Sequence, residues 1–231
     1  IKRQGEHLNI EVIRGKVEST VYGYEYEGIP VLELISFGET SYDECVNFLN
    51  GYKDADKLII DLRDNTGGYQ SAVLGIAGLF LDEDSLVMRA VYKDGHEELS
   101  YETADVRFEN FKEIAILTNG ETASAAEVLV MALKEGHPDA YTVGDTTYGK
   151  GVMQSTFTFS DGSALKITTA RWLSPEGKWI NEVGIAPDYP VSLHDALYQA
   201  YPHFSEDESF TLDDAGQYIE LMEIALDYLD Y

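Results

Sequence analysis

Two short runs of almost unbroken apolar residues, LIIDL at 58–62 and IAIL at 114–117, constrain the fold of this chain more than any other feature. A strand with one wet face alternates apolar and polar residues, whereas a run without alternation must be covered on both faces. Each run ends in a small, glycine-bearing turn and leads into an apolar stretch of helical length. RDNTGGY precedes residues 71–81, and TNGETASA opens the helix of AAEVLVMALKEG. Buried strand, loop and helix in repetition predict a layered α/β fold.

Other segments add β-structure. Asp94-Gly95 links strand-like residues 85–92 and 97–101, and Asp161-Gly162 links 152–159 and 164–170, so both pairs read as hairpins. Residues 31–35 (VLELI) read as a strand after a turn at Gly28-Ile29-Pro30. A helix is predicted over 41–52 with Thr40 or Ser41 as its cap, and a short strand over 141–144. Residues 8–14 (LNIEVIR) alternate as a strand does. Residues 214–231 carry Ile219, Met222, Leu226 and Leu229 on one helical stripe whose opposite face is acidic.

Charge narrows the function classes. With 42 acidic against 16 basic side chains the formal charge is −26, which opposes binding to nucleic acid or to an anionic membrane. The single cysteine, Cys45, excludes an intramolecular disulfide. The five histidines, His7, His96, His137, His194 and His203, show no metal-ligand spacing. Glu206, Asp207, Glu208, Asp213 and Asp214 lack the oxygen-ligand alternation and fixed glycine of a calcium loop, and read as a solvated face. No run of about 18 apolar residues occurs.

The candidate chemistry lies between residues 118 and 154. Ser124 stands among Ala123, Ala125 and Ala126 where loop becomes helix, beside unpaired N–H groups and the positive end of the helix dipole. A nucleophile fits there, and so does an ordinary N-cap whose capping box is completed by Glu127. Lys150, between Gly149 and Gly151, reads either as a base or as a solvated turn residue. Gly67 and Gly68 follow a strand's carboxyl end and can turn backbone N–H groups towards a ligand.

Taken in order, LIIDLRDNTGG, TNGETASAAE, YGKGVMQ and EVGIAPDYPV make the chain resemble the C-terminal processing peptidases, the tail-specific serine proteases, over residues 31–191. The resemblance implies a core similar to the crotonase and Clp protease folds, built of β-β-α units with added β-hairpins, and an acidic C-terminal helix. It implies Ser124 as nucleophile, Lys150 as general base and Gln154 as the residue orienting the lysine, with the amides of Gly67 and Ala125 as the oxyanion hole. It calls for no cofactor and no metal. The implied partner is a polypeptide with an accessible C-terminus, and a homo-oligomer is left open. The implied location is extracytoplasmic, with any targeting segment outside this chain.

Physical chemistry sets what these roles require. A lysine serves as base only if its pKa falls from ~10.4 towards roughly 7 to 8, which burial of the amine achieves. Ala123, Ala125, Ala126 and Val152 are expected to supply an apolar wall. Gln154, on the same strand face as Val152, is expected to hold the amine. Thr66 stands where the family commonly has proline, which alters stiffness without removing a chemical group.

The domain reading follows. Residues 1–20 resemble the end of a PDZ-like domain and an entry strand, 21–195 the protease core, and 196–231 an acidic helical extension. That extension is similar to the opening helix of a peptidoglycan-binding module or is a helix docked on the core. Two other functions remain: a non-catalytic ligand- or peptide-binding module on the same fold, and acyl-CoA chemistry, which the charge of −26 disfavours.

Overall fold

A computed structural model describes residues 19–191, together with the backbone of residues 2–3 and 6–7. Strands β1 (Lys2–Arg3) and β2 (Glu6–His7) pair antiparallel. The main body begins with β3 (Val21–Tyr26), β4 (Ile29–Leu34), α1 (Ser41–Leu49), β5 (Lys57–Asp61) and α2 (Gln70–Gly78). It continues through β6 (Leu86–Tyr92), β7 (Glu97–Tyr101), β8 (Glu113–Thr118) and α3 (Ala125–Gly136). Last come β9 (Ala140–Gly144), β10 (Val152–Thr158), β11 (Ala164–Leu173) and β12 (Tyr189–Pro190). The strand expected over 8–14 and the helix expected over 214–231 lie outside the described residues.

Two sheets result. One has six strands in the order β12-β9-β8-β5-β4-β3, parallel from β12 to β4 with β3 antiparallel at its edge. The other has four antiparallel strands in the order β10-β11-β6-β7. The two apolar runs are β5 and β8, adjacent at the centre of the large sheet. Both faces of this pair are dry, as the lack of alternation requires. Leu58, Ile60, Ile114 and Ile116 join the core with the helices, and Ile59, Ala115 and Leu117 join a second cluster on the opposite face. Each fully buried aliphatic side chain contributes about 1.5–3 kcal/mol relative to exposure.

The first hairpin turns earlier than expected. Glu27 and Gly28 both take positive φ, 48° and 87°, so the two-residue turn is Glu27-Gly28, and Ile29 and Pro30 already belong to β4. Such left-handed turn residues match the twist of the strands they join. Pro30 is tolerated because β4 begins pairing with β5 only at Val31.

At the same strand pair Glu33 lies opposite Asp61. Burial, then the charge of Asp61, raises the Glu33 carboxyl above the usual carboxylate range, against a smaller opposing effect from Arg63. A raised value means the neutral form is favoured by the fold. The stability that this group contributes is therefore complete below the ordinary carboxylate range and is lost as pH rises through the raised value. Glu33→Gln is expected to be more stable than wild type at neutral pH and to converge with it at about pH 4. Urea denaturation between pH 4 and 8 measures the difference; parallel curves for the two proteins would contradict this account.

Candidate active site

The carboxyl ends of three adjacent parallel strands meet at one place. Strand β5 leads to the loop carrying Gly67 and Gly68, β8 to Ser124 at the start of α3, and β9 to the loop carrying Lys150. Open parallel sheets present ligand sites at this edge, where chain segments from neighbouring strands converge. Here they line a cavity of about 290 Å³ together with the root of the β10–β11 hairpin.

Ser124 is the N-cap of α3, with φ 59° and ψ −116°. For a residue with a Cβ this backbone is strained, at a typical cost of about 1–3 kcal/mol, and it persists only where the surroundings enforce it. They do so from both sides. The Ala123 N–H donates to the Asn65 carbonyl at 2.9 Å, and the Ser124 N–H donates to Glu127 Oε2 at 2.8 Å. Gly67 presses close enough that a Cβ on it would lie 2.9 Å from the Ala123 oxygen and from Ser124 Cβ.

Glu127 does more than cap the helix. Its side chain is fully buried and accepts four hydrogen bonds. Oε2 takes the Ser124 and Lys150 N–H groups, each at 2.8 Å, and Oε1 takes the Thr147 hydroxyl at 2.6 Å and the Gly149 N–H at 2.7 Å. One carboxylate thus fixes the main chains of the serine and the lysine relative to each other. Sequence reading finds only the link across three residues to Ser124; the partners at 147–150 carry no local signal.

Lys150 is clamped further. Its carbonyl accepts Trp172 Nε1–H at 2.7 Å, the Gly151 carbonyl accepts Trp179 Nε1–H at 2.8 Å, and the Gly151 N–H donates to Asn181 Oδ1 at 3.1 Å. The two glycines follow from this crowding: a Cβ at 149 would sit 2.7 Å from the Gly184 nitrogen, and one at 151 would sit 2.8 Å from Asn181 and Trp179.

The cavity gathers Ser124, Lys150, Gln154 and Ala125. No hydrogen bond joins Lys150 Nζ to Ser124 or Gln154, and Lys150 has no carboxylate partner among the described residues. Gln154 shares a face of β10 with Val152, as alternation along a strand expects. The register shift between Met153 and Gln154 sets Met153 opposite Ala170 and Gln154 opposite Thr168, so the extra residue, Thr169, lies on β11 and β10 keeps its alternation. The register places Gln154 opposite Thr168 and so on the side of the hairpin that carries Lys166, another residue lining the cavity.

Two expectations change. The N–H of Gly67, assigned to the oxyanion hole, donates instead to Asn65 Oδ1 at 2.8 Å, and Gly67 is buried. It is Gly68 that is exposed and lines the cavity, and its N–H has no partner among the described residues. The Ala125 N–H, in the first turn of α3, also lacks one, as helix starts leave their first donors free. The apolar wall differs as well: Ala125 and Val152 contribute, but Ala123 and Ala126 are buried away from the cavity. Val73, Met88, Val128 and Trp172 supply the rest.

Sequence reading missed Asn65. Its side-chain amide donates to the Leu34 carbonyl at 2.7 Å, and its Oδ1 receives Gly67 two residues on. That second bond makes an Asx-type turn, so Asn two residues before Gly was the available signal. It also missed Asp61 and Arg63, a buried pair in which the guanidinium donates to both carboxylate oxygens, at 2.9 and 2.6 Å. Among the described residues no group of three or more His, Cys, Asp or Glu could hold a metal ion, and no helix is long and apolar enough to cross a membrane.

Comparison with known proteins places this geometry in context. The sequence model of peptidase family S41 matches residues 28–191. The carboxy-terminal processing protease CtpA of Bacillus subtilis (strain 168) is 30% identical over 245 residues, covering 99% of this chain and 52% of that protein. A probable CtpA-like serine protease of Staphylococcus haemolyticus (strain JCSC1435) is 31% identical over 234 residues, covering 100% of this chain and 47% of its own length. The chain thus spans about half the length of these curated relatives. Among solved structures, the photosystem II D1 C-terminal processing protease matches with a TM-score of 0.63 at 28% identity, over 71% of this chain and 42% of that one. A putative S41 protease from Bacteroides fragilis NCTC 9343 matches with a TM-score of 0.71 at 17% identity, over 94% and 59%, a likeness of fold.

Proposed function

Because this chain belongs to peptidase family S41, we propose that it is a serine endopeptidase that cleaves polypeptides near their C-termini through an acyl-enzyme on Ser124. One observation carries the reading. A strained serine, and a lysine amine and two N–H groups that lack partners among the described residues, line a single cavity.

In the proposed reaction the neutral Lys150 amine takes the proton of Ser124 Oγ as that oxygen attacks the scissile carbonyl carbon. The carbonyl oxygen gains the negative charge and lies against the N–H groups of Gly68 and Ala125. Loss of one such donor typically raises a barrier by about 2.7–4 kcal/mol. Collapse of the intermediate breaks the C–N bond, and the leaving amine takes its proton from Lys150. Water then attacks the acyl-enzyme, with Lys150 again receiving a proton and returning it to Ser124. Gln154 is assigned to accept a hydrogen bond from the amine and hold it towards the serine. Val73, Met88, Val128 and Trp172 give the cavity an apolar side suited to a small or medium apolar substrate side chain. Cleavage near a C-terminus rests on the printed names of the relatives, carboxy-terminal processing protease among them.

Covalent labelling by a fluorophosphonate, mapped by mass spectrometry, tests the reading without a known substrate. Labelling is expected at Ser124 in wild type and is expected to be lost in Lys150→Ala. Absence of labelling in wild type would favour a binding module on the same fold, and labelling undiminished in Lys150→Ala would remove the lysine from the mechanism.

A further inference from the structure

The cavity holds a second cation that the proposed chemistry does not use. Lys166 lies on β11 opposite Thr156 and on the same side of the hairpin as Gln154 and Thr168, and it lines the cavity with Ser124 and Lys150. In a chain of net charge −26, carboxylates are available to most cations. Arg89, Arg107, Lys134 and Lys178 each meet one at 3.1 Å or less. Lys166 meets none among the described residues. Of the other described cations without one, Lys53 and Lys93 stand in exposed turns, Lys112 donates to the Glu109 carbonyl, and Arg171 lies over the Trp179 ring, so beside Lys150 only Lys166 brings such a charge to this cavity among the described residues.

We propose that Lys166 is a specificity-determining residue that binds a carboxylate of the polypeptide substrate within a few residues of the scissile bond. The inference rests on the peptidase reading of the same cavity. A polypeptide offers carboxylates from two sources, its C-terminal α-carboxylate and the side chains of Asp and Glu. Either is drawn to a cationic rim on a chain whose net charge is strongly negative. The position supports this further. Strand β10 is the free edge of its sheet, so an extended peptide entering beside it passes Lys166 on the way to Ser124. Lys166 is exposed, so its attraction for the carboxylate weakens as salt rises.

The test uses the full chain with Ser124→Ala, which blocks turnover, and fluorescence anisotropy with a fluorescein-tagged decapeptide of alanine and serine around a central valine. Three forms are compared: free C-terminal acid, C-terminal amide, and the amide with one glutamate beside the valine. The acid or the glutamate form is expected to bind about fivefold more tightly than the plain amide, the size of a strong exposed ion pair. Which of the two does so identifies the source. The advantage is expected to vanish in Lys166→Gln and to reverse in Lys166→Glu, whose thermal unfolding checks that the fold is intact. Equal binding of all three forms, an advantage that survives Lys166→Gln, or no binding at millimolar peptide would each overturn the proposal. Fluorophosphonate labelling of Ser124 in otherwise wild-type protein and in Lys166→Gln separates the two readings. Labelling without a carboxylate preference sinks only the role of Lys166, and a carboxylate preference without labelling sinks only the peptidase.

Discussion

Ser124→Ala is expected to lower cleavage of fluorescein-labelled casein by roughly 10,000-fold or more, the loss found when a nucleophile is removed from a unit that acts together. Stability is expected to fall by only about 0.5–2 kcal/mol, the usual cost of removing a serine side chain that caps a helix, here over the Glu127 N–H. The backbone at this position is held by Asn65 and Glu127 through main-chain N–H groups, and alanine retains both of these bonds as well as the Cβ. A variant that keeps wild-type turnover would exclude Ser124 as nucleophile. One that unfolds would show instead that the hydroxyl is structural.

The second large effect is expected at Glu127. Every one of its four contacts is a donor: three main-chain N–H groups and the Thr147 hydroxyl. Glutamine preserves shape but turns an NH2 towards donors on one side, leaving at least one buried N–H opposed by another hydrogen. Each orphaned buried group costs about 1–3 kcal/mol. Glu127→Gln is therefore expected to lose about 2–4 kcal/mol of stability in urea denaturation. Because the same carboxylate sets Ser124 against Lys150, the fluorophosphonate labelling rate is expected to fall by at least tenfold, measured where the variant is still folded. A variant as stable as wild type would mean that the surrounding donors do not require a carboxylate, and unchanged labelling would mean that the two main chains are held without it.

These two residues mark the boundary between local and non-local information. Ser124 was legible because its neighbours in sequence, small residues and a helix start, already describe its surroundings. Glu127 was legible only as half of a capping box, since Thr147, Gly149 and Lys150 reach it from another strand-end loop. The same divide separates the glycines. The pair at 67–68 signals a loop open to ligand, but which N–H is left free depends on where the Asn65 side chain goes. That choice moves the candidate donor from Gly67 to Gly68. Gln154 divides in the same way: its face on β10 follows from alternation, whereas only pairing with β11 brings Thr168 and Lys166 to that side.

By itself the sequence determined the elements and their layering. Unbroken apolar runs must be buried on both faces, Asp-Gly pairs must turn, and small residues must open the helix behind Ser124, because these are constraints on a residue and its near neighbours. Only the tertiary structure decided the strain at Ser124, the four-bond seat of Glu127, and the Gly68 N–H and Lys166 left without partners among the described residues. Each of these depends on which distant groups satisfy, crowd or leave alone a given polar atom, and hydrogen bonds between segments that meet only when β5, β8 and β9 lie side by side have no periodicity to read.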